Sequence, residues 1–259
     1  MAAAGLGLAL SAASPAGAEA ARSDSPAIEW ITLGTGGGPV IRTQRSEPAN
    51  ALRVGDAVYL FDLGAGAQKR LAEAGLDPRQ VRAIFLSHLH IDHTADLAPF
   101  LLNRWVLNDY RPLPVIGPRG TGGTLDGIAA MSGPIRLAPV TIGGPPKPPF
   151  TGTFSPRELA PAMDRPTLVY ADANLRVLAI TNAHYNFPSS SPEARYARSY
   201  AFRIEAGGKS YVFTGDTGMS DKLVDLARGA DVLVSEVIDM AGIEATLARS
   251  GIPPKVLPA

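Results

Sequence analysis

The stretch that most constrains this chain is an apolar run, Val81 to Leu86, followed directly by Ser87 to His93. A short continuous apolar run is typical of a strand that is buried on both faces of an α/β sheet. The residues after the run include three of the chain's four histidines and one aspartate. Because ligands bind outside the carboxyl ends of strands in open α/β sheets, this position suits a functional site.

The composition of the cluster points to a metal ion. Imidazole and carboxylate groups are ligands that suit zinc and similar divalent ions. The chain has no cysteine, which excludes four-thiolate zinc sites, iron–sulfur clusters, disulfides and thiol nucleophiles. The pair His88 and His90 alone could be structural, but the full H-x-H-x-D-H run, which ends with Asp92 and His93, favours a metal site.

Three later apolar segments also end in a histidine or an acidic residue. His184 follows one predicted strand, Asp216 follows the next hairpin, and Glu236 follows a short third run. Each has a structural alternative: His184 could be a hydrogen-bonded core or surface histidine, Asp216 could close a turn with its side chain, and Glu236 could face a helix N-terminus. Their common position at strand ends favours convergence on the histidine cluster.

If these strand ends converge, their side chains would form a metal site that can activate water. His88, His90 and His184 would supply three nitrogen ligands to one ion and leave a position for water, which is the pattern of catalytic zinc. Asp92 and His93 point to a second ion, and Asp216 could bridge the two. Paired ions activate water and stabilise the attacking and departing oxygens of a displacement.

Length and charge set the remaining bounds. With 259 residues, of which 46% are hydrophobic, the chain is long enough for one large α/β domain or two small ones. Lysine plus arginine number 24 and so do aspartate plus glutamate, so no global basic field favours nucleic acid as a partner. The sequence therefore disfavours a nucleic-acid partner, although a local patch could suffice.

Two segments lie outside the regular pattern. Residues 1–20 are apolar and end in small residues, which predicts a signal peptide without a basic n-region and a periplasmic or secreted protein; otherwise the protein would be cytoplasmic. The rest, 27–259, is predicted to be one domain with an irregular Pro/Gly-rich insertion at 133–166. No segment has the length of a transmembrane helix.

The motifs together resemble a known family. The H-x-H-x-D-H run, the later histidine and the segment Thr214-Gly215-Asp216-Thr217 resemble the metallo-β-lactamase superfamily. Leu33-Gly34-Thr35-Gly36-Gly37-Gly38, Asp62-x-Gly64 and Ser235-Glu236 resemble the branch that includes ribonuclease Z and arylsulfatase-like and phosphodiesterase-like hydrolases. The resemblance covers residues 28 to about 240.

The resemblance implies a fold and a set of ligands. It implies an αββα sandwich of two mixed sheets flanked by helices, with two zinc ions in a cleft. His88, His90 and His184 correspond to the ligands of the first ion. Asp92 and His93 correspond to those of the second, with Asp216 bridging. The family takes one more histidine from a late strand end, and no histidine follows His184 here. We therefore expect a truncated second half or an incomplete second site.

The expected function is hydrolysis by a zinc-bound hydroxide. Phosphodiesters or sulfate esters are the first substrates implied, and lactones or other carbonyl esters come next. Asp92 would hold the hydroxide, and Glu236 would assist proton transfer at the leaving group. The alternatives are an inactive or metal-binding remnant of the fold and a ribonuclease Z-like nuclease. The expected partner is a small ester-type molecule; no membrane partner is expected, and a homodimer remains compatible with the sequence.

Overall fold

The computed structural model describes residues 26–38, 41–138 and 146–249. Across these residues two mixed β-sheets pack face to face, and helices cover their outer faces. The αββα sandwich expected from the sequence is therefore confirmed. The predicted signal peptide, residues 1–20, lies outside the described residues. Among the helices that the model describes, none has both the length and the apolar character needed to cross a bilayer.

The first sheet combines an antiparallel meander with a parallel half. Its strands, in spatial order, are β1 (Ile28–Gly34), β2 (Ala49–Val54), β3 (Ala57–Leu63), β4 (Val81–Phe85), β5 (Leu113–Gly117) and β6 (Phe154–Glu158). The first three pair antiparallel, and the β2–β3 hairpin turns at Gly55, whose φ of 58° favours glycine. From β3 to β6 all pairs are parallel, so the carboxyl ends of β3 and β4 lie at one edge.

The second sheet is antiparallel except at one edge. Its strands are β7 (Thr167–Ala171), β8 (Leu175–Thr181), β9 (Tyr200–Ala206), β10 (Lys209–Phe213) and β11 (Val232–Val234), and the spatial order is β11-β10-β9-β8-β7. A hairpin that turns at Gly207 and Gly208 joins β9 to β10. In this sheet β11 pairs parallel with β10, so the carboxyl ends of these two strands lie at the same edge.

Helices connect the strands and cover both sheets. They are α1 (Ala67–Glu73), α2 (Ile91–Thr94), α3 (Leu97–Val106), α4 (Thr121–Met131), α5 (Gly133–Arg136), α6 (Pro192–Tyr196), α7 (Asp221–Ala227) and α8 (Met240–Arg249). Helix α3 tolerates Pro99 because that residue lies in the first turn, where the missing N–H costs no intrahelical hydrogen bond.

The strand β3 explains why the sheets stack. All seven of its residues are buried. Since alternate side chains point to opposite faces of the sheet, both faces must be covered. Val58 and Leu60 face the layer that contains α3, whereas Tyr59 and Phe61 face the second sheet. The ring of Phe61 stacks on Phe85 of β4 with centroids 4.9 Å apart. A strand that is apolar on both faces requires a packed layer on each side, which produces the sandwich.

The segment predicted to be an irregular insertion, 133–166, is irregular only in part. It contains α5 and the edge strand β6, which pairs with β5 along all five of its residues. Residues 139–145 lie outside the described residues. The prediction missed β6 because Pro156 breaks a strand pattern, and proline is tolerated there only because β6 is an edge strand.

Candidate metal centre

The first half of the candidate site follows β4. After Phe85 the chain leaves the sheet as a five-residue connection and enters the one-turn helix α2. His88 and His90 lie on the connection, and Asp92 and His93 lie on α2. His88 and His93 are almost completely buried, whereas His90 is exposed. The H-x-H-x-D-H run therefore presents its side chains to one point from two short elements.

Three imidazoles converge on a single position. The Nε2 atom of His88 lies 3.0 Å from Nδ1 of His90, and Nε2 of His184 lies 3.2 Å from the same Nδ1. His184 comes from the loop after β8 in the second sheet. The structure thus brings together the three residues that the sequence assigned to the first ion, with ligand atoms mutually within 4.8 Å.

A second group lies beside the first. His88, His93 and Asp216 also place one ligand atom each within 4.8 Å of the others, so His88 belongs to both groups. Asp216 follows β10, and its Oδ1 is 3.3 Å from Nε2 of His93. Oδ2 of Asp92 is 3.6 Å from that nitrogen. The residues that the sequence assigned to the second ion therefore surround Nε2 of His93.

Asp62 organises the buried side of the site, a role that sequence reasoning missed. Its carboxylate is fully buried and accepts hydrogen bonds from the backbone N–H of Ser87 (2.7 Å), from the Ser87 hydroxyl (2.7 Å) and from Nδ1 of His93 (2.8 Å). The available signal was an aspartate at the end of the otherwise apolar strand β3. Its φ of 58°, which aspartate tolerates better than most residues, aims the carboxylate at β4.

This network sets the histidine tautomers. The Ser87 hydroxyl donates its hydrogen bond to Asp62, so its oxygen is left to accept a hydrogen bond from Nδ1–H of His88, 3.0 Å away. Nε2 of His88 is left with a lone pair that points to the ligand position. In the same way, the bond from Nδ1 of His93 to Asp62 turns Nε2 of His93 toward Asp216. Hydrogen bonds of this kind orient metal-ligating histidines in proteins.

Asp92 is held by the glycine-rich loop. Its Oδ2 accepts a 2.8 Å hydrogen bond from the backbone N–H of Gly38. A Cβ atom at Gly38 would overlap the side chain of Asp92, whereas one at Gly37 would meet nothing within 4 Å. The loop therefore approaches the site by its backbone at Gly38, which explains the need for glycine at that position.

The loops of the second sheet are tied together by Asn182. Its side-chain amide donates to the backbone carbonyls of Thr214 (2.8 Å) and Asp216 (3.0 Å), and its Oδ1 accepts from the backbone N–H of His184 (3.2 Å). One side chain therefore fixes the loop of His184 against that of Asp216. Asn182 was not singled out as a site residue, because an asparagine after a strand is common in turns.

Glu236 lies behind the site rather than among the ligand atoms described above. Its carboxylate accepts a hydrogen bond from the backbone N–H of Thr217, the residue after Asp216. Burial, together with the charge of Asp216, raises the pKa of Glu236 to about 6, although the Thr217 N–H opposes the shift. The structure thus places Glu236 where it shapes the loop that carries Asp216.

The electrostatics of the two groups differ. Burial lowers the pKa of His88 to about 2 and also lowers that of His184, which favours the neutral imidazoles that metal binding requires. Burial would lower the pKa of His93 as well. However, Asp62 and Asp216 outweigh burial and raise that pKa to about 11. The pocket around Nε2 of His93 therefore favours a positive charge.

The donor set fits divalent ions at both groups. Nδ1 of His90 faces two nitrogens but can share at most one proton with one of them, so the three-histidine group is under-satisfied as a hydrogen-bond network. Nε2 of His93 is buried without a well-formed hydrogen bond. Buried polar atoms are normally paired, and an ion at each position would satisfy both groups.

Histidines and carboxylates at the strand ends of an αββα sandwich define a class of metal-site proteins, and sequence comparison identifies the family. The model of the beta-lactamase superfamily domain matches residues 59–241. Ribonuclease Z of Mycolicibacterium gilvum is 34% identical over 222 residues, which are 84% of this chain and 71% of that protein. Ribonuclease Z of Mycobacterium bovis is 33% identical, over 82% of this chain and 70% of that protein. The chain belongs to the beta-lactamase superfamily.

Solved structures agree on the fold. The short form of human tRNase Z superposes with a TM-score of 0.61 at 22% identity, covering 85% of this chain and 82% of that one. The metallo-beta-lactamase fold protein YhfI from Bacillus subtilis gives a TM-score of 0.57 at 20% identity, covering 82% and 70%. The resemblance to the superfamily and to its ribonuclease Z branch, expected from the motifs, is therefore confirmed.

Proposed function

We propose that this protein is a metal-dependent phosphodiesterase whose substrate is a nucleic acid. The observation that carries the proposal is the convergence of His88, His90 and His184 beside the group of His88, His93 and Asp216. The proposed substrate class, a nucleic acid, is supported by the relatives named ribonuclease Z, a nuclease of RNA. These relatives weigh against our expectation that nucleic acid is disfavoured, which depended on the balanced charge of the whole chain.

The proposed cofactor is a pair of zinc ions. His88, His90 and His184 would hold one, and His93, Asp92 and Asp216 would hold the other. Ions there would supply Lewis-acid activation of water and of a phosphoryl oxygen. The ligands proposed for the first ion are three imidazole nitrogens, and those proposed for the second ion are one imidazole and two carboxylates, all of which are donor types that zinc accepts.

The residues of the chain have separate tasks in the proposed reaction. Water adds to phosphorus and gives up one proton, the bond from phosphorus to the leaving oxygen breaks, and that oxygen takes up a proton. Asp92 has its carboxylate fixed by Gly38 and faces the site, so it is placed to accept a hydrogen bond from the attacking water. Asp62 keeps His93 oriented from behind. A proton-transfer role for Glu236 stays a prediction.

The test compares His90→Ala with Ile91→Ala. His90 faces both of the other first-group imidazoles, whereas Ile91 is its exposed neighbour on α2. Metal content is measured by mass spectrometry, and hydrolysis is followed with bis(p-nitrophenyl) phosphate, an end-labelled RNA and p-nitrophenyl sulfate. We expect His90→Ala to lose at least one equivalent of zinc and about 10²-fold or more in phosphodiester hydrolysis, because a three-ligand site cannot keep its ion with two.

The control sets the limits of the proposal. Ile91→Ala should retain both metal and activity. Full metal and full activity in His90→Ala would contradict the ligand assignment. Hydrolysis of the sulfate ester without hydrolysis of either phosphodiester would instead contradict the proposed substrate class.

A further inference from the structure

A cavity of about 790 Å³ opens beside the three-histidine group. His90 forms part of its wall and is shared with the metal centre. The other side of the wall is built by Leu89, by Arg119 before α4, and by the segment 185–197, which contains α6. A volume of this size accommodates a small organic ligand. The cavity therefore adjoins the proposed reaction centre without containing most of its ligands.

Two aromatic rings lead from the metal centre into this cavity. The ring of Tyr185 lies 4.7 Å from that of His184 and 5.3 Å from that of His90. Phe187 stacks on Tyr185 with centroids 5.3 Å apart and ring planes 17° apart. Phe187 nevertheless remains 40% exposed. Stacked rings with an open face next to a reaction centre are suited to bind a flat aromatic group.

The same wall carries positive charge. Arg119 places its guanidinium 5.1 Å from the centroid of the Tyr196 ring, which holds it at the edge of the cavity. Arg195 of α6 also lines the cavity, and Glu193 is the acidic residue of its lining. Two guanidinium groups against one carboxylate leave a local excess of positive charge, which suits a phosphate more than a neutral ligand.

The segment that carries these rings is fixed to the body of the protein. The Ser191 hydroxyl accepts from the backbone N–H of Ala194 and caps α6. Arg198 donates to the backbone carbonyls of Pro161 at 2.6 Å, and of Ala194 and Ala197 at 2.7 Å. These contacts fix α6 and the adjoining end of the wall before a ligand arrives, which limits the entropy lost on binding.

Building on the phosphodiesterase function proposed above, we propose that Tyr185 and Phe187 form a subsite for a planar aromatic group that is part of a substituent on the scissile phosphate, and that Arg119 and Arg195 attract an adjacent phosphate. In a nucleic acid this aromatic group is the nucleobase. The subsite recognises a ring by its face rather than by its hydrogen-bonding edge, so it accepts different bases.

Binding tests the subsite without relying on turnover. Equilibrium titrations of the protein as purified, with its metal content measured, use adenosine 5′-monophosphate, phenyl phosphate and ribose 5-phosphate. We expect Phe187→Leu to weaken adenosine 5′-monophosphate about fivefold or more, the factor that one base–ring stack provides. Ribose 5-phosphate, which has no ring system, should change less than twofold. Phe187→Tyr should keep the affinity, and Leu168→Ala on the far strand β7 controls for loss of an exposed apolar group.

The outcomes separate the subsite from the function. Weaker binding of adenosine 5′-monophosphate alone assigns the subsite to nucleobases, and equal weakening of phenyl phosphate assigns it to any aryl group. No loss for either ligand, or an equal loss for ribose 5-phosphate, overturns the subsite.

In parallel, bis(p-nitrophenyl) phosphate is compared with methyl p-nitrophenyl phosphate. If the unmodified protein hydrolyses both but Phe187→Leu leaves their ratio of kcat/KM unchanged, the subsite fails while the function stands; if it hydrolyses no phosphodiester, the function fails first.

Discussion

The two sheets contribute to the candidate metal centre in different ways. On the side of the first sheet, Asp62, Ser87, His88 and His93 are buried and joined by one hydrogen-bond network. On the side of the second sheet, His184 and Asp216 are only partly buried and lie on loops that Asn182 holds through backbone carbonyls. The first side orients its buried histidines through side chains, whereas the second depends on the position of its loops.

This contrast indicates which residues of the site are most sensitive to substitution. A buried charged network fails abruptly when one partner is removed, because the remaining charge has no water to solvate it. A loop held by backbone contacts tolerates side-chain changes more readily, provided that its anchoring contacts remain. Substitutions on the first side should therefore cost more than equivalent substitutions on the second.

The largest effect is expected on stability, in the layer that supports the first side. Arg104 of α3 donates to Asp109 at 2.6 Å, and both side chains are almost fully buried. Arg104→Met should lower the free energy of unfolding by about 3 kcal/mol, the lower end of the cost of breaking a buried ion pair from one side, because Asp109 keeps its hydrogen bonds from Arg111. Urea unfolding measures the change. Arg228→Met, which breaks an exposed pair at the end of α7, is the matched control and should change little.

The same pair predicts a pH dependence. Burial would raise the pKa of Asp109, but hydrogen bonds from Arg111 and Arg104 outweigh it and hold that pKa below its usual range. A depressed carboxyl pKa stabilises the fold above the unfolded pKa of about 4, and this contribution is lost as the pH falls through the folded pKa. The difference between Arg104→Met and the unmodified protein should therefore shrink below about pH 4. A difference that is constant down to pH 2 would contradict this assignment.

The next effect concerns the buried network itself. Asp62→Asn keeps the size and the tolerance of positive φ but replaces one acceptor oxygen by an NH₂ group, which faces N–H and O–H donors. We expect metal affinity or hydrolysis to fall about 10- to 100-fold, as is typical when the partner of a ligating histidine is lost. Metal titration and phosphodiester assays measure it. Asn182→Asp on the second side is the comparison variant. If it loses more metal affinity or hydrolysis than Asp62→Asn does, the contrast between the two sides is reversed.

These differences also separate what sequence can predict from what it cannot. The H-x-H-x-D-H run, His184 and Asp216 are predictable because ligand types recur at strand ends, and the αββα fold is implied by the family resemblance that these motifs carry. The roles of Asp62 and Asn182 depend on contacts between residues at least 25 positions apart in the chain, which no local pattern records. The cavity beside His90 was missed for the same reason, because its wall is a turn-rich segment that local periodicity does not distinguish from an ordinary loop.

A smaller effect is expected at the glycine-rich loop. Gly38→Ala would drive its new methyl group into the side chain of Asp92, while Gly37→Ala has open space around the added atom. We expect the first to lower kcat about tenfold, because Asp92 loses both its position and the N–H bond from residue 38. Gly37→Ala should remain within twofold. Equal activities of the two variants would show that the loop does not position Asp92.

The smallest effect is expected at Glu236, where the two roles considered for it give different results. If Glu236 positions the loop of Asp216, Glu236→Gln keeps an acceptor for the Thr217 N–H and should retain kcat within about threefold, with an unchanged pH profile. If Glu236 transfers a proton, the same change should remove a group whose pKa of about 6 shapes the profile and should lower kcat about 10²-fold or more. Glu236→Ala separates the cases further, since it removes the acceptor in both. Positioning predicts that only this second variant loses metal at the second group, because the loop that carries Asp216 would lose one of its anchors. The measurement therefore shows whether the second side of the site depends on loop geometry alone.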